Sequence, residues 1–251
     1  MKKSIKINKS IKKVKSVKKI NTIKIDNTTK TGNNSKEAIL KRKGDAYISN
    51  ISKNTSKEIT DGLKILRNIK QDMVSIFGSH ITSEKHKDYI NCQKTCYNLG
   101  KKGYAIVSGG GPGIMKAANT GATLAKTPSV GFKAKLIQKE QHVDDNIFTY
   151  QYEFNFLFVR RFCLAVESRA LIFYPGGYGT LNELFEYITL IETHMEEPIP
   201  VICVNKKYWE GLFNWLKNNA LKEGYITQRH LDYITYADTS KEIINIIEER
   251  K

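Results

Sequence analysis

The segment from Tyr174 to Glu186 carries the residues whose types and spacing favour chemistry on a phosphorylated ligand. It reads YPGGYGTLNELFE and joins an apolar strand to an amphipathic helix. Glycines allow backbone N–H groups to approach a phosphate, and the start of the following helix adds partial positive charge. Glu183 comes three residues after Thr180, so a carboxylate is expected beside the turn. The segment therefore predicts a phosphorylated sugar or nucleotide as the ligand.

The turn itself has two interpretations. As a phosphate site, its expected contacts are Gly176, Gly177, Tyr178, Gly179 and Thr180. As a purely structural feature, Thr180 and Glu183 fit a capping box, in which Thr180 is the N-cap and Glu183 folds back to its backbone N–H. From these residues alone, Glu183 is as much a candidate helix cap as a candidate catalyst.

A second glycine-rich loop, SGGGPGIM at residues 108–115, also follows a strand and opens a helix. It lacks the G-x-G-x-x-G register of dinucleotide-binding turns and the Gly-Lys-Ser/Thr ending of a Walker A loop. A tight strand-to-helix turn explains part of the pattern, but three consecutive glycines exceed what such a turn requires. The expected ligand contacts of this loop are Gly110, Gly111, Gly113 and Met115.

Short apolar strands alternate with amphipathic helices from residue 73 onward, beginning with the strands at 73–77 and 104–107. This alternation predicts an α/β fold, a parallel β-sheet covered by helices on both faces. Ligands of such sheets bind at the carboxyl ends of the strands, where both glycine-rich loops lie. Helices are predicted at 57–69, at 84–99 with a stop at Gly100, and at 207–219.

The charge is concentrated at the amino terminus. Of the net +16, residues 1–44 hold +13, which leaves +3 for residues 45–251. We therefore expect a basic, low-complexity, largely disordered tail before one folded domain, and no nucleic-acid-binding body. Two other uses of the tail stay open: a targeting presequence, and contact with nucleic acid or an acidic membrane surface.

The remaining composition favours a cytoplasmic location and offers no clear metal site. No apolar run is long enough to span a membrane. The cysteines lie in apolar segments and are expected to be buried, reduced thiols, which suits a reducing compartment. Cys92 and Cys96 have a spacing that a metal pair could use, yet no second Cys/His pair accompanies them. The five histidines are scattered, without metal or triad spacing.

Three segments together resemble the LOG ("Lonely Guy") family: SGGGPGIMKAAN at 108–119, FNFLFVRR at 154–161 and PGGYGTLNELFE at 175–186. The first is similar to the form found in the longer bacterial branch. The resemblance implies a Rossmann-like fold and a homodimer. It also implies phosphoribohydrolase activity, in which a nucleoside 5′-monophosphate such as AMP or a cytokinin riboside 5′-monophosphate is split into free base and ribose 5-phosphate.

The same resemblance implies individual roles. Glu183 and Arg160 match the family's catalytic glutamate and arginine, and Arg161 stands at a substrate-binding position that is usually lysine. Asn182 replaces a second glutamate found in many members. Arg169 occupies a position that is often Asp in the short branch, which leaves the preferred base open.

The implied reaction builds positive charge on the ribose, as in glycoside hydrolysis. Glu183 is expected to stabilise that charge and to hold or deprotonate the attacking water. Arg160 is expected to bind the phosphate or the ribose hydroxyls, and Glu140 to contact the base. Neither a cofactor nor a metal is expected.

Two alternatives belong to other classes of protein. A non-catalytic nucleotide or cofactor carrier would need the phosphate-binding turn but not the pair of Arg160 and Glu183. An amino-acid decarboxylase with pyridoxal phosphate would need a Schiff-base lysine beside the phosphate site. Neither loop offers one, and Lys116 is expected on a helix face.

Overall fold

The computed structural model describes residues 45–135, 143–193, 195 and 197–249. Within these residues, seven strands form a single parallel sheet. The strands are β1 Met73–Phe77, β2 Ala105–Ser108, β3 Ser129–Ala134, β4 Tyr150–Phe154, β5 Ser168–Phe173, β6 Val201–Cys203 and β7 Ile234–Tyr236. The α-helices are α1 Asp45–Arg67, α2 Lys87–Lys101, α3 Ile114–Ala125, α4 Leu157–Ala165, α5 Tyr178–Glu192, α6 Lys206–Leu216, α7 Gln228–Asp232 and α8 Ser240–Glu248.

The strand order is β4-β3-β2-β1-β5-β6-β7. The chain starts at β1 in the middle of the sheet, moves outward to β4, and then returns to pair β5 with the other side of β1. Such a reversal opens a crevice at the carboxyl ends of the two central strands, where α/β proteins bind their ligands. The predicted α/β, Rossmann-like fold is confirmed, and both glycine-rich loops lie at this edge.

Helices cover both faces of the sheet, as predicted. One face is covered by α2, α3 and α8, which pack on alternate strand residues such as Val74 and Ile76. The other is covered by α1, α4, α5 and α6, which pack on residues such as Met73 and Phe77. All five residues of β1 are buried, because a central parallel strand meets a helical layer on each side.

Several predicted boundaries were wrong. Helix α1 begins at Asp45 instead of residue 57, and α2 continues through Gly100 to Lys101. Gly100 does not end the helix; it lets α2 approach α3, since a Cβ there would lie 2.6 Å from the Cβ of Ala125. Helix α6 continues into a π-helical turn, Lys217–Leu221, and the short α7 was not predicted.

Other sequence expectations meet the structure only in part. The predictions for residues 1–44 and for Glu140 lie outside the described residues. No helix among the described residues is both long and apolar enough to cross a membrane. The four cysteines are buried and free of disulfides, as expected. Across the described chain, no group of three histidine, cysteine or carboxylate side chains is arranged to hold a metal ion.

Candidate active site

Arg160 and Glu183 converge although they belong to different helices. Arg160 lies in α4 and Glu183 in α5, and the two helices are joined through strand β5. Arg160 Nη1 lies 3.5 Å from Glu183 Oε1, and each side chain is 13% exposed. The fold therefore brings the guanidinium and the carboxylate to one place, at the same end of the sheet as the glycine-rich loops.

Backbone carbonyls fix the orientation of Arg160. Its Nε donates to the carbonyl oxygen of Phe132 at 2.6 Å, and its Nη2 donates to that of Gly109 at 3.3 Å. Phe132 belongs to β3, and Gly109 directly follows β2. A guanidinium carries five N–H donors in a rigid plane. Two of them hold the group to the sheet, so Nη1 is directed at Glu183.

Burial sets the electrostatics of this pair. It raises the pKa of Glu183 to about 7, against the opposing effect of the positive charges of Arg160 and Arg161. Burial also lowers the pKa of Arg160, while Glu183 acts to raise it. A carboxyl group with a pKa close to neutrality is suited to proton transfer under physiological conditions. Perturbed groups in such an arrangement are typical of functional sites.

The turn before α5 does not form the capping box that one interpretation required. The helix begins at Tyr178 with Gly177 as its N-cap, and no side chain caps it. Thr180 therefore lies inside the first turn, where its buried side chain packs against Gly176. The carboxylate of Glu183 faces Arg160. The first N–H groups of α5 have no capping side chain, which leaves them suited to an anion.

The open side of this turn is formed by glycine. A Cβ added at Gly177 or Gly179 would meet no atom within 4 Å, and Tyr178 between them is 93% exposed. The other side is held by hydrogen bonds. Tyr208 of α6 donates its hydroxyl to the carbonyl of Gly176 at 2.5 Å. The backbone N–H of Ser79 donates to the carbonyl of Pro175 at 3.0 Å.

The loop after β2 reaches the same place. Gly110 and Gly113 have positive φ values of 66° and 64°, which glycine adopts without strain. Gly113 also passes close to the backbone after β1, since a Cβ there would lie 2.3 Å from the carbonyl oxygen of Ser79. The side chain of Met115 lies against Gly109 and Gly111. The loop therefore meets Arg160 through Gly109, with Met115 beside it.

Arg161 lies close to the pair but has its own partner. Its Nε donates to Glu186, and its positive charge opposes the burial that raises the pKa of Glu183. Its backbone carbonyl accepts the hydroxyl of Tyr187 at 2.7 Å. Tyr187 and Ile191 are both buried in the core. Their apolar surface is therefore used within the chain.

The sequence profile of a family described as "Possible lysine decarboxylase" matches residues 115–247, more than half of the chain. The chain belongs to this family. Several curated relatives carry LOG names, so the resemblance seen in the three motifs is confirmed. The match spans α3 to α8 and so includes both Arg160 and Glu183.

Two relatives of this LOG-family chain come from Arabidopsis thaliana. The cytokinin riboside 5′-monophosphate phosphoribohydrolase LOG3 is 36% identical over 87 residues, which cover 34% of this chain and 40% of LOG3. The probable phosphoribohydrolase LOG6 is 29% identical over 147 residues, which cover 57% of this chain and 71% of LOG6. The chain thus matches well under two thirds of LOG3, and less than one third of the aligned residues of LOG6 are identical.

A solved structure shares the fold at lower identity. The molybdenum cofactor binding protein of Rippkaea orientalis aligns with a TM-score of 0.54 and 18% identity, covering 72% of this chain and 97% of that protein. This likeness supports the Rossmann-like fold of the LOG-family chain, and no more than the fold.

The LOG motifs did not reveal the backbone groups that hold the site. The carbonyls of Gly109 and Phe132 were not predicted, because every residue has a carbonyl and its use leaves no side-chain signal. Tyr208 was not predicted either, since it lies on α6, far along the chain from Gly176. The run of three glycines at 109–111 was the one local sign that a neighbour approaches the backbone there.

Proposed function

We propose that this LOG-family chain is a nucleoside 5′-monophosphate phosphoribohydrolase, acting on AMP or a cytokinin riboside 5′-monophosphate. The single observation that carries the proposal is the buried contact between Arg160 and Glu183 at 3.5 Å, beside a glycine-rich helix start. The names of the curated relatives support the reaction class. A protein that merely held an anion would need the helix start and the glycines, but not a buried carboxylate with a pKa near neutrality.

In the proposed reaction, water attacks C1′ of the ribose while the bond from C1′ to the base nitrogen breaks. The base leaves with a proton, and ribose 5-phosphate keeps the hydroxyl. Positive charge builds on the ribose before the new bond is complete. Ionised Glu183 would stabilise that charge and accept the proton of the attacking water, a contribution of about 10²–10⁴-fold for a positioned acid or base.

Arg160 would orient the sugar phosphate. Its Nε and Nη2 are bound to carbonyls, so the remaining N–H groups would donate to the phosphate or to the ribose hydroxyls. Fixing a reactant against a rigid group lowers the entropic part of the barrier. Gly176, Gly177, Tyr178, Gly179 and Thr180 would surround the 5′-phosphate at the start of α5. Gly110, Gly111, Gly113 and Met115 would form the opposite wall, with Arg161 at the margin.

The test is the release of free base from a panel of nucleoside 5′-monophosphates, with chromatography of both the base and ribose 5-phosphate. Wild type should release both products in equal amounts from at least one adenine nucleotide. Glu183→Gln should lower kcat by about 10²-fold or more, and Arg160→Ala should lower kcat/KM. Arg67→Ala removes an exposed arginine of α1 and serves as the matched control, with activity equal to wild type.

The same panel separates the hydrolase from a carrier of nucleotides or cofactors. A wild-type chain that binds nucleotides, measured by calorimetry, but releases no base from any of them would support the carrier. Base release that is unchanged in Glu183→Gln would refute the role proposed for Glu183 and leave that carboxylate without a catalytic function.

The homodimer implied by the family is part of this proposal. Helix α4 exposes three large apolar side chains, Leu157 and Phe158 at 52% and Phe162 at 39%. Exposed apolar side chains grouped on one helix of a folded chain favour contact with another protein surface. Analytical ultracentrifugation should give the mass of a dimer, and Phe158→Glu should shift the equilibrium toward the monomer.

A further inference from the structure

Helix α4 begins without a capping side chain of its own, although it carries Arg160. Its N-cap is Phe156, which has no oxygen to offer to the first N–H groups of the helix. Uncapped N–H groups at a buried helix start are unfavourable. The backbone that leads into α4 is therefore expected to be held by a partner from elsewhere in the chain.

That partner is Glu58, in α1. Its side chain is buried, with the residue 3% exposed. Glu58 Oε2 accepts the backbone N–H of Phe156 at 3.2 Å. Glu58 Oε1 accepts the backbone N–H of Asn155 at 2.9 Å and its side-chain Nδ2 at 2.6 Å. A carboxylate of another helix thus holds the N-cap residue of α4 and the residue before it, and this contact is called the cap of α4 below. Its negative charge lies at the positive end of the helix dipole.

The cap is two hydrogen bonds away from Arg160. The N–H of Phe156 donates to Glu58, and the carbonyl of Phe156 accepts the backbone N–H of Arg160 at 3.1 Å. The Arg160 side chain then continues to the carbonyl of Phe132 at 2.6 Å. A shift of the first turn of α4 would move the backbone of Arg160 away from its anchors on the sheet.

One helical turn further along α1, a second contact holds the two helices in register. A Cβ added at Gly62 would lie 2.6 Å from Sγ of Cys163, so α1 and α4 approach closely there. Cys163 lies three residues after Arg160. Helix α1 therefore holds α4 on both sides of the arginine, and α1 precedes the region that the family profile matches.

We infer that Glu58 is a positioning residue for Arg160, and that α1 is part of the machinery that places the guanidinium against Glu183. The expected effect on turnover rests on the proposed function, whereas the placement of Arg160 does not. Because a misplacement of about 1 Å can reduce a rate by about 10²-fold, loss of the cap should weaken catalysis without any contact between Glu58 and the substrate.

The test measures the placement of Arg160 directly, by solvent exchange of its Nε proton in ¹⁵N NMR, with the signal assigned by its loss in Arg160→Lys. Glu58→Ala should speed this exchange by at least about tenfold, because the proton spends less time on its carbonyl partner. Glu58→Gln keeps an oxygen for Asn155 but loses one acceptor, so its exchange should lie between those of wild type and Glu58→Ala. If Glu58→Ala does not fold, Glu58→Gln takes its place. An exchange rate of the Arg160 Nε proton that is at least about threefold faster than in wild type would then support the inference, and an unchanged rate would overturn it.

Asp61 provides the matched control, since it is also a carboxylate of α1 but accepts the hydroxyl of Tyr152 at 3.1 Å. Asp61→Asn should leave the exchange at Arg160 within about twofold of wild type. Unchanged exchange in Glu58→Ala, or an equal increase in Asp61→Asn, would overturn the inference.

Activity gives the second readout. In Glu58→Ala, kcat/KM for base release should fall by about 10²-fold, and by less in Glu58→Gln. Activity within twofold of wild type in Glu58→Ala, accompanied by a lower melting temperature, would reduce Glu58 to a structural cap. If wild type releases no base, the proposed function is refuted. Faster exchange at Arg160 in Glu58→Ala would even then support the placement of Arg160 by Glu58.

Discussion

On the proposed function, replacing Glu183 by glutamine should lower kcat for base release by about 10²-fold or more. The same replacement should stabilise the protein at alkaline pH. Burial raises the pKa of Glu183 to about 7, from an ordinary value of 4.5, so the folded chain disfavours the ionised carboxylate. The resulting destabilisation is absent below about pH 4.5, where the group is protonated in both the folded and the unfolded chain. It grows as the pH rises and is complete above about pH 7.

The size of the effect follows from the same pKa. One pKa unit corresponds to about 1.4 kcal/mol, so the full destabilisation is about 3 kcal/mol. Between pH 5 and pH 8 the free energy of unfolding of Glu183→Gln should gain about 2.5 kcal/mol relative to wild type. The lost contact with Arg160 does not cancel this difference. The pKa of about 7 is the net result of burial and of the charge on Arg160, so this contact is already counted in it. Protonated Glu183, like glutamine, has no negative charge with which to attract Arg160.

The assay is urea unfolding of both proteins at pH 5, 6, 7 and 8. The difference in melting temperature between Glu183→Gln and wild type should likewise be about 5–10 °C larger at pH 8 than at pH 5. Glu153→Gln, at an exposed position of β4, is the control and should show no such dependence on pH. A difference between Glu183→Gln and wild type that is constant from pH 5 to pH 8 would refute the claim that this carboxylate is desolvated.

Three further predictions concern the proposed reaction. The kcat/KM for base release should fall as the pH drops below about 7, because burial raises the pKa of Glu183 to about 7 and the ionised form is required. Measuring kcat/KM of wild type over a pH series tests this. Gly109→Ala should lower kcat by about 10²-fold, since its Cβ would lie 2.0 Å from Arg160 Nη2 and displace the guanidinium. Tyr208→Phe should raise KM by about 3- to 10-fold with kcat nearly unchanged, because the lost hydrogen bond to the Gly176 carbonyl contributes roughly 1 kcal/mol to the orientation of the turn proposed to bind the phosphate.

Matched variants control these measurements. Gly211→Ala places a methyl group on α6 where nothing lies within 4 Å, and should retain full activity. Tyr225→Phe removes the hydroxyl of a tyrosine that is 81% exposed, and should leave KM unchanged. The pH series is repeated with a substrate in which a phosphonate of different pKa replaces the phosphate. If kcat/KM falls at the same pH with both substrates, the titrating group belongs to the enzyme. A fall that moves with the pKa of the substrate would contradict the assignment to Glu183. Full activity in Gly109→Ala, or an unchanged KM in Tyr208→Phe, would show that these contacts do not govern the site.

Much of the fold could be predicted from local pattern. The apolar strands and amphipathic helices indicated a parallel sheet with helices on both faces, and the glycine-rich loops were correctly expected at the carboxyl ends of the strands. Boundaries were predicted less well where packing decides them. Gly100 looked like a helix stop, yet it serves close contact between α2 and α3. Helix α1 begins earlier than expected, and the sequence did not reveal that its Glu58 would cap α4.

The sequence by itself determined the chemistry that is available: an arginine and a glutamate at family spacing, two glycine-rich turns, and strands apolar enough to be buried on both sides. Only the tertiary structure decided that Arg160 and Glu183 meet, and that Thr180 does not cap α5. It also decided which carbonyls hold the guanidinium. The physical reason is that a pKa near 7 arises from desolvation by surrounding atoms, and hydrogen bonds to distant carbonyls arise from packing. Neither depends on residues that are neighbours in the chain, so neither leaves a local pattern to read.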